Sequence, residues 1–225
     1  MPHFHIVKNI DIDESFRVSR VKSDFDVKNE HLTRVFEGDF NIPEKWQVGL
    51  IVGNSGTGKT TIMNQLFGGD NCSKVQFSRK SVIDDMPNVP VDDITKMFYA
   101  VGFGSVPCWL KPFDVLSNGE KMRVTLAKAL LSNDFCVFDE FTSVVDRNVA
   151  QTMCIALRKC LDKYPNKRFV AVTCHKDVEA YLQPDWVFNT DTMTMSFPSA
   201  HVPLRNSPSE DATKKSGQNL GIIII

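Results

Sequence analysis

The stretch QVGLIVGNSGTGKT, from Gln47 to Thr60, joins an apolar run to a turn rich in glycine. The run QVGLIVG predicts a strand buried on both faces of a parallel sheet. The turn matches the pattern G-x-x-x-x-G-K-[ST], and TTIMNQLF after it predicts a short helix. In this arrangement backbone N–H groups and a helix N-terminus point at phosphate oxygens. The stretch therefore predicts a nucleoside triphosphate site on a P-loop fold.

Each part of this turn has a chemical reason. Glycine lets the backbone curl without a Cβ in the way, Lys59 can reach the β- and γ-phosphates, and the Thr60 hydroxyl can hold Mg²⁺. The sequence has no NKxD-type motif to recognise guanine, which favours ATP over GTP. The predicted phosphate-binding residues are Gly53, Asn54, Ser55, Gly56, Thr57, Gly58, Lys59, Thr60 and Thr61.

A second apolar run ends in two carboxylates. FCVFDE, from Phe135 to Glu140, predicts another buried strand. Ligands of such sheets bind at the carboxyl ends of the strands. Asp139 is therefore a predicted Mg²⁺ ligand, and Glu140 is predicted to orient or deprotonate the attacking water.

Composition narrows the class of protein. The 225 residues are 42% hydrophobic and 24% charged with a formal net charge of −1, which suits one globular domain without a global basic field. Six scattered cysteines without a CxxC pair indicate structural thiols in a reducing compartment. No apolar run approaches the roughly 18 residues of a membrane helix. These features predict a cytoplasmic chain that does not itself insert into a membrane.

Strands and helices alternate along most of the chain, which predicts an α/β fold with a largely parallel core sheet. HIVKNIDI, FRVSRV and LTRVFEGDF predict strands of an antiparallel region before the core. We expect one domain over residues 1–197, with a short helical lobe at about 77–131. Residues 198–225 are polar and predict a disordered tail; its last residues, GIIII, carry no interpretation.

Five motifs occur in one order: GNSGTGKT, LSNGE, FCVFDE, SVVD and VTCH. This order resembles the ABC-type ATPases, whose signature is LSGGQ and whose D-loop is SALD-like. Longer strings such as VLSNGEKMRVTLAKAL resemble soluble, stand-alone ABC ATPases of bacteria and phages, some of them fused to acetyltransferase-like domains. The short span between the phosphate loop and Leu116 also differs from transporter subunits, which use a larger helical lobe.

The resemblance implies a mechanism. The signature would close over the γ-phosphate bound by a second copy of the chain, which gives an ATP-dependent homodimer with two sites. His175 would contact that γ-phosphate and would act with Glu140 and Lys59 as the catalytic set. The implied signature residues are Ser117, Asn118, Gly119 and Glu120, and the implied D-loop residues are Ser143 and Asp146.

Some assignments stay open at this stage. Glu120 replaces the family's Gln and is expected to bring negative charge near the nucleotide edge. Gln76 is either the Q-loop ligand of the metal or a plain surface residue. Phe25, with Phe16 as its competitor, either stacks on adenine or packs in the core. The pair His3 and His5 offers too few ligands for a metal site.

The predicted function is a soluble Mg²⁺-dependent ATPase that couples hydrolysis to an unidentified protein or nucleic-acid partner. One alternative is the energy subunit of an ABC membrane transporter. Another is an ATP-gated binding switch with little turnover.

Overall fold

The computed structural model describes residues 3–9, 12, 14–27, 33–78 and 80–198. From residue 199 onward the predicted tail lies outside this range. The strands of the described part are β1 (His3–Asn9), β2 (Thr33–Asp39), β3 (Val48–Val52), β4 (Phe135–Phe138), β5 (Arg168–Thr173), β6 (Trp186–Asn189) and β7 (Thr194–Ser196). The helices are α1 (Phe16–Asp24), α2 (Lys59–Phe67), α3 (Val91–Ala100), α4 (Val106–Trp109), α5 (Asn118–Ser132), α6 (Arg147–Leu161) and α7 (Val178–Leu182), with a 3-10 helix at Phe113–Val115.

The core sheet has the strand order β4-β5-β3-β6-β7. The first four strands are parallel, and β7 pairs antiparallel with β6. All five residues of β3 are buried, as the continuous apolar run predicts. The predicted P-loop fold with a largely parallel core sheet is confirmed.

The predicted antiparallel region before the core is also present. Strands β1 and β2 pair antiparallel from His3 opposite Asp39 to Asn9 opposite Thr33. The ring of His3 contacts Asp39 and Glu37 on the facing strand, and the hydrogen bond to Asp39 is the main reason that the pKa of His3 is raised. Among the described residues no group of three or more His, Cys, Asp or Glu side chains is arranged to hold a metal.

The strand predicted for FRVSRV is wrong, because these residues form helix α1. Ser15 caps the helix by accepting a hydrogen bond from the N–H of Val18, and Arg20 pairs with Asp24 one turn later. These contacts are local, and the segment buries no residue that could favour a strand pairing instead. The alternative prediction that Phe16 and Phe25 pack in the core is also wrong, since these residues are 80% and 75% exposed.

Two apolar layers cover the two faces of the sheet. One layer packs α3, α5 and α6 against the sheet. The other packs α2 and the β1–β2 hairpin against the opposite face and is rich in aromatic rings. In the second layer Trp186 lies directly over Gly49, where a Cβ would come within 2.0 Å of the indole Cζ2. Only glycine fits at this position of β3.

The start of β3 is held by a single carboxylate. Oδ2 of Asp185 accepts hydrogen bonds from the backbone N–H groups of Gln47 and Val48 at 2.7 and 2.8 Å. The N–H of Asp185 donates in turn to the carbonyl of Val48, and the guanidinium of Arg158 lies 3.6 Å from Oδ2. The turn before β6 therefore fixes the position at which β3 enters the sheet.

We predict that Gly49→Ala destabilises the domain by about 1–3 kcal/mol, because the new methyl group must displace a fully buried indole. Chemical denaturation monitored by tryptophan fluorescence measures the change. Gly104→Ala is the matched control, since its Cβ would lie 3.7 Å from the Tyr99 ring, an ordinary contact. Equal midpoints for the two variants would contradict the packing described here.

Candidate functional site

The phosphate loop leaves the end of β3 and enters α2 at Lys59. Gly56 and Gly58 have φ angles of 81° and 91°, in the left-handed region that a side chain disfavours. Gly53 has a different reason to be glycine, because its Cβ would lie 2.1 Å from Oγ1 of Thr190. The loop therefore has the tight backbone curl that the motif predicts.

Lys59 is buried at the base of this loop. Its side chain is 7% exposed, and Nζ donates to the carbonyl of Asn54 at 2.8 Å. A carbonyl satisfies only part of the hydrogen-bonding capacity of an ammonium group, which has three donors. Lys59 is thus held within the loop with donors left for an anion.

The hydroxyl of Thr60 and the carboxylate of Asp139 meet although they come from different elements. Oγ1 of Thr60 donates to Oδ2 of Asp139 at 2.7 Å. Hydroxyl and carboxylate oxygens are the hard ligands that Mg²⁺ prefers. The residues present therefore fit a magnesium ion. Gln76 does not join this pair by a hydrogen bond; its backbone carbonyl accepts from Nζ of Lys128 at 2.6 Å.

Glu140 follows β4 in a turn with an uncommon backbone. The φ angles of Glu140 and Thr142 are 52° and 69°, which few non-glycine residues adopt. Between them, Phe141 is fully buried and its N–H donates to the carbonyl of Val172 on β5. Ser143 closes the turn by donating its hydroxyl to the carbonyl of Glu140 at 2.6 Å. The buried Phe141 anchors the strained turn that presents Glu140.

His175 lies just beyond the end of β5 and contacts the same turn. Its Nδ1 is 3.2 Å from Oγ1 of Thr142, a side chain with no exposed surface. A hydrogen bond at Nδ1 orients the ring and makes Nε2 the nitrogen that can reach a ligand. Thr142 is thus a contact of His175 that the motif comparison did not identify.

Two cavities meet at Glu140. One, of about 340 Å³, lies against the phosphate loop and is lined by Lys59, Thr60 and Thr61 among others. The other, of about 630 Å³, lies between the strand ends and the helical lobe. Its lining includes Gln76, Asn118, Asp139, Glu140 and Ser143. The fold thus brings the DE strand end together with residues of the phosphate loop, the Q-loop candidate, the signature and the D-loop.

The signature begins α5 with a reciprocal cap. The hydroxyl of Ser117 accepts from the N–H of Glu120, and the carboxylate of Glu120 accepts from the N–H and hydroxyl of Ser117 at 2.8 Å. The thiol of Cys108 also donates to Glu120, at 3.0 Å. These contacts, that of Cys108 first, lower the pKa of Glu120. The carboxylate of Glu120 is therefore held in its charged form by contacts within its own chain.

The D-loop leads into α6 through a second cap. Oδ1 of Asp146 accepts from the N–H groups of Asn148 and Val149 at 3.0 Å. The next residue, Arg147, forms an ion pair with Asp177, which raises the pKa of Arg147 and lowers that of Asp177. The D-loop is therefore tied on one side to α6 and on the other to the segment that follows His175.

Several residues at the site were missed by the motif analysis. Asp191 accepts from the N–H of Asn54 at 2.8 Å and pairs with Lys176 at 2.9 Å, and the hydroxyl of Thr190 lies 2.6 Å from that of Thr57. The hydrogen bond from Asn54 is the main reason that the pKa of Asp191 is lowered. Thr190 and Asp191 directly follow β6, whose end lies at the same edge of the sheet, and no motif of the sequence marks them.

The β1–β2 hairpin supplies further missed residues. Lys8, Arg34 and Phe36 line the 340 Å³ cavity. Neither cavity is lined by Phe25 or Phe16, although the structure describes both. The two aromatic candidates for adenine stacking are thus outside the cavities, while cationic residues of the hairpin face one of them.

No protein-family model matches the sequence. Among curated proteins, the chain is 30% identical over 157 residues to the inner membrane ABC transporter ATP-binding protein YddA of Escherichia coli K12. The match covers 58% of this chain, and the chain spans only about a quarter, 27%, of that protein's length.

Solved structures give a more extensive match. A post-hydrolysis dimer of the ATP-binding cassette MJ0796 with ADP and Pi has a TM-score of 0.56 at 15% identity, covering 75% of this chain and 94% of that one. CbiO1 from Clostridium perfringens, part of the ABC transporter complex CbiONQ, has a TM-score of 0.53 at 18% identity, covering 68% and 77%. At these identities the likeness shows the fold.

The helices within the described residues include none that is long and apolar enough to cross a membrane. The parallel sheet with its phosphate loop carries the five motifs in the expected order, and both kinds of comparison lead to cassettes of one type. The chain therefore has the fold of the ATP-binding cassettes of ABC transporters.

Proposed function

We propose that this domain binds ATP and hydrolyses it with Mg²⁺, closing on the nucleotide with a second copy of itself. The observation that carries the proposal is the 2.7 Å hydrogen bond between Thr60 and Asp139, beside the buried ammonium of Lys59. A hydroxyl, a carboxylate and a cation in this arrangement match the demands of a metal-bound triphosphate. The nucleotide-bound state of the related cassette MJ0796 supports the same assignment by analogy.

The proposed chemistry uses residues that already stand in place. The N–H groups of the phosphate loop and Nζ of Lys59 hold the phosphates, and Thr60 and Asp139 would hold the metal, which supplies positive charge to the phosphate oxygens. Glu140 accepts the proton of a water whose oxygen attacks the γ-phosphorus. The bond between that phosphorus and the bridging oxygen breaks, which gives ADP and inorganic phosphate. His175, oriented through Thr142, would hold the γ-phosphate.

The proposed dimer rests on the start of α5. The N–H groups of Asn118 and Gly119 lie in the first turn of a 15-residue helix, where the helix dipole favours an anion. A methyl group at Gly119 would meet its nearest neighbour only at 3.6 Å, so packing within the chain does not require glycine there. Close approach of another chain gives a reason for it. A solved structure of the MJ0796 cassette is likewise described as dimeric.

The work that hydrolysis drives has two candidates. The name of the YddA relative favours an energy subunit of a membrane transporter. The short helical lobe, with α3, α4 and α5 as its helices, favours a stand-alone ATPase with a protein or nucleic-acid partner. The role of Gln76 as a metal ligand and that of Phe25 at the adenine stay predictions in both cases.

Glu140→Gln is expected to trap an ATP-bound dimer, because the amide retains the shape of the side chain but cannot accept the proton. We expect hydrolysis to fall at least a hundredfold and the dimer to become visible by size-exclusion chromatography with light scattering in Mg-ATP. Glu179→Gln removes the same charge from α7 and serves as the control.

A Glu140→Gln variant that binds ATP but remains monomeric would overturn the dimer mechanism. Wild-type protein that binds ATP with negligible turnover would favour the switch alternative. Recovery of the trapped dimer in the membrane fraction together with a transporter, and not in the soluble fraction, would favour the energy-subunit role.

We also predict that Glu120→Gln leaves ATP-driven dimerisation unchanged to within about twofold, because the carboxylate of Glu120 is bound to Ser117 and Cys108. Glu120→Ala should instead lower the free energy of unfolding by about 1 kcal/mol, since it removes the reciprocal cap. Sedimentation velocity and urea denaturation measure the two effects.

The stability difference between wild type and Glu120→Gln should depend on pH. The contacts of Glu120 lower its folded-state pKa. The contribution of its carboxylate to stability is therefore complete above the ordinary glutamate value of 4.5 and is lost as the pH falls through the lower folded value.

A Glu120→Gln variant that tightens the dimer more than tenfold would contradict the dimerisation prediction and would show that the charge of Glu120 acts at the interface.

A further inference from the structure

The β1–β2 hairpin presents two cations to the phosphate loop. Lys8 and Arg34 are directly opposite each other in the strand register. Both line the cavity of about 340 Å³ that the phosphate loop and Glu140 also line. The hairpin therefore forms part of the wall of the proposed nucleotide site.

The hairpin and the loop are in direct contact. Nη1 of Arg34 donates to the carbonyl of Gly56 at 2.7 Å. The ring of Phe36 lies so close to Gly58 that a Cβ there would come within 2.2 Å of Cε1. These two contacts hold the hairpin against the two glycines of the phosphate loop that have left-handed backbone angles. Arg34 thus positions the loop, and it does so with one of its five N–H donors.

The charges on this wall are unbalanced. Among the described residues of the hairpin, the ion pairs join His3 and His5 to the acids of β2 and include neither Lys8 nor Arg34. Together with Lys59, the cavity lining has three cationic side chains against the carboxylate of Glu140. Lys8 and Arg34 are exposed and lie at the same cavity, so their positive charges repel each other. An anion bound in this cavity would offset that repulsion.

We propose that Lys8 and Arg34 form a second cationic clamp that binds the phosphates of the nucleotide from the hairpin side. Arg34 offers a planar guanidinium that can donate two hydrogen bonds to one phosphate, and Lys8 adds a point charge beside it. The inference rests on the proposed function, since it assigns further contacts to the same ATP. It makes the hairpin a part of the binding site as well as a cover for the core.

The test compares Lys8→Ala, Arg34→Ala and Arg34→Lys with the control Arg17→Ala, which removes the same charge from the exposed helix α1. Isothermal titration of the full chain with Mg-ATP, and separately with adenosine, gives the affinities. We expect Arg34→Ala to weaken ATP binding roughly tenfold and Lys8→Ala roughly threefold, with partial recovery in Arg34→Lys. Adenosine binding should not change, and the salt dependence of ATP binding should become shallower.

The effect of Lys8→Ala on ATP binding distinguishes a direct phosphate contact from a purely structural role of the hairpin. Lys8 makes no hydrogen bond to the loop in the described contacts, so a purely structural role of the hairpin predicts no effect of Lys8→Ala. Lys8→Ala that binds ATP as tightly as Arg17→Ala would overturn the clamp, even if Arg34→Ala is impaired. Wild-type protein that binds no ATP would overturn the proposed function instead, and the two failures are therefore distinct.

Discussion

The parallel pairing of β3 on both of its sides is the constraint on which the site depends. Strand β3 lies between β5 and β6, and it pairs with β5 from Val48 to Val52 and with β6 from Gly49 to Val52. Its start is held by the carboxylate of Asp185 and its end releases the phosphate loop. Because neighbouring parallel strands end at one edge of the sheet, the same pairing brings His175 and, through β4, Asp139 to that loop. A change in the register of β3 would therefore shift the phosphate loop relative to both His175 and Asp139.

The elements that the sequence predicted well carry both a buried apolar run and a motif. This holds for β3 with its phosphate loop, for β4 with Asp139, and for α5, where Ser117 and Glu120 form a cap that local sequence specifies. Such signals are short-range, because the residues that satisfy one another lie within a few positions. The strand predicted for the residues of helix α1 was wrong for a related reason. Its apolar and β-branched residues suggested a strand, but the local cap at Ser15 determined the structure of a segment with no partner strand.

The parts of the site that sequence could not supply depend on long-range contacts. Asp191 meets Asn54, and Arg34 meets Gly56, across large separations along the chain. The register of the hairpin, which no short motif encodes, decides that Lys8 and Arg34 share one face. The carboxylate of Glu120 also accepts a hydrogen bond from a residue outside its motif, the thiol of Cys108. A pattern of residue types indicates which chemistry is present but not how each side chain is satisfied.

The contact between Gly49 and Trp186 has a consequence for how this domain can vary. The indole is fully buried, and among the described residues its Nε1 has no hydrogen-bond partner, so the N–H contributes nothing that a smaller apolar ring would lose. The indole also occupies the space that a Cβ at position 49 would need. The residues at positions 49 and 186 are therefore expected to change together during evolution. Replacement of Trp186 by phenylalanine would make room for alanine at position 49, whereas alanine at position 49 before that replacement would clash with the indole.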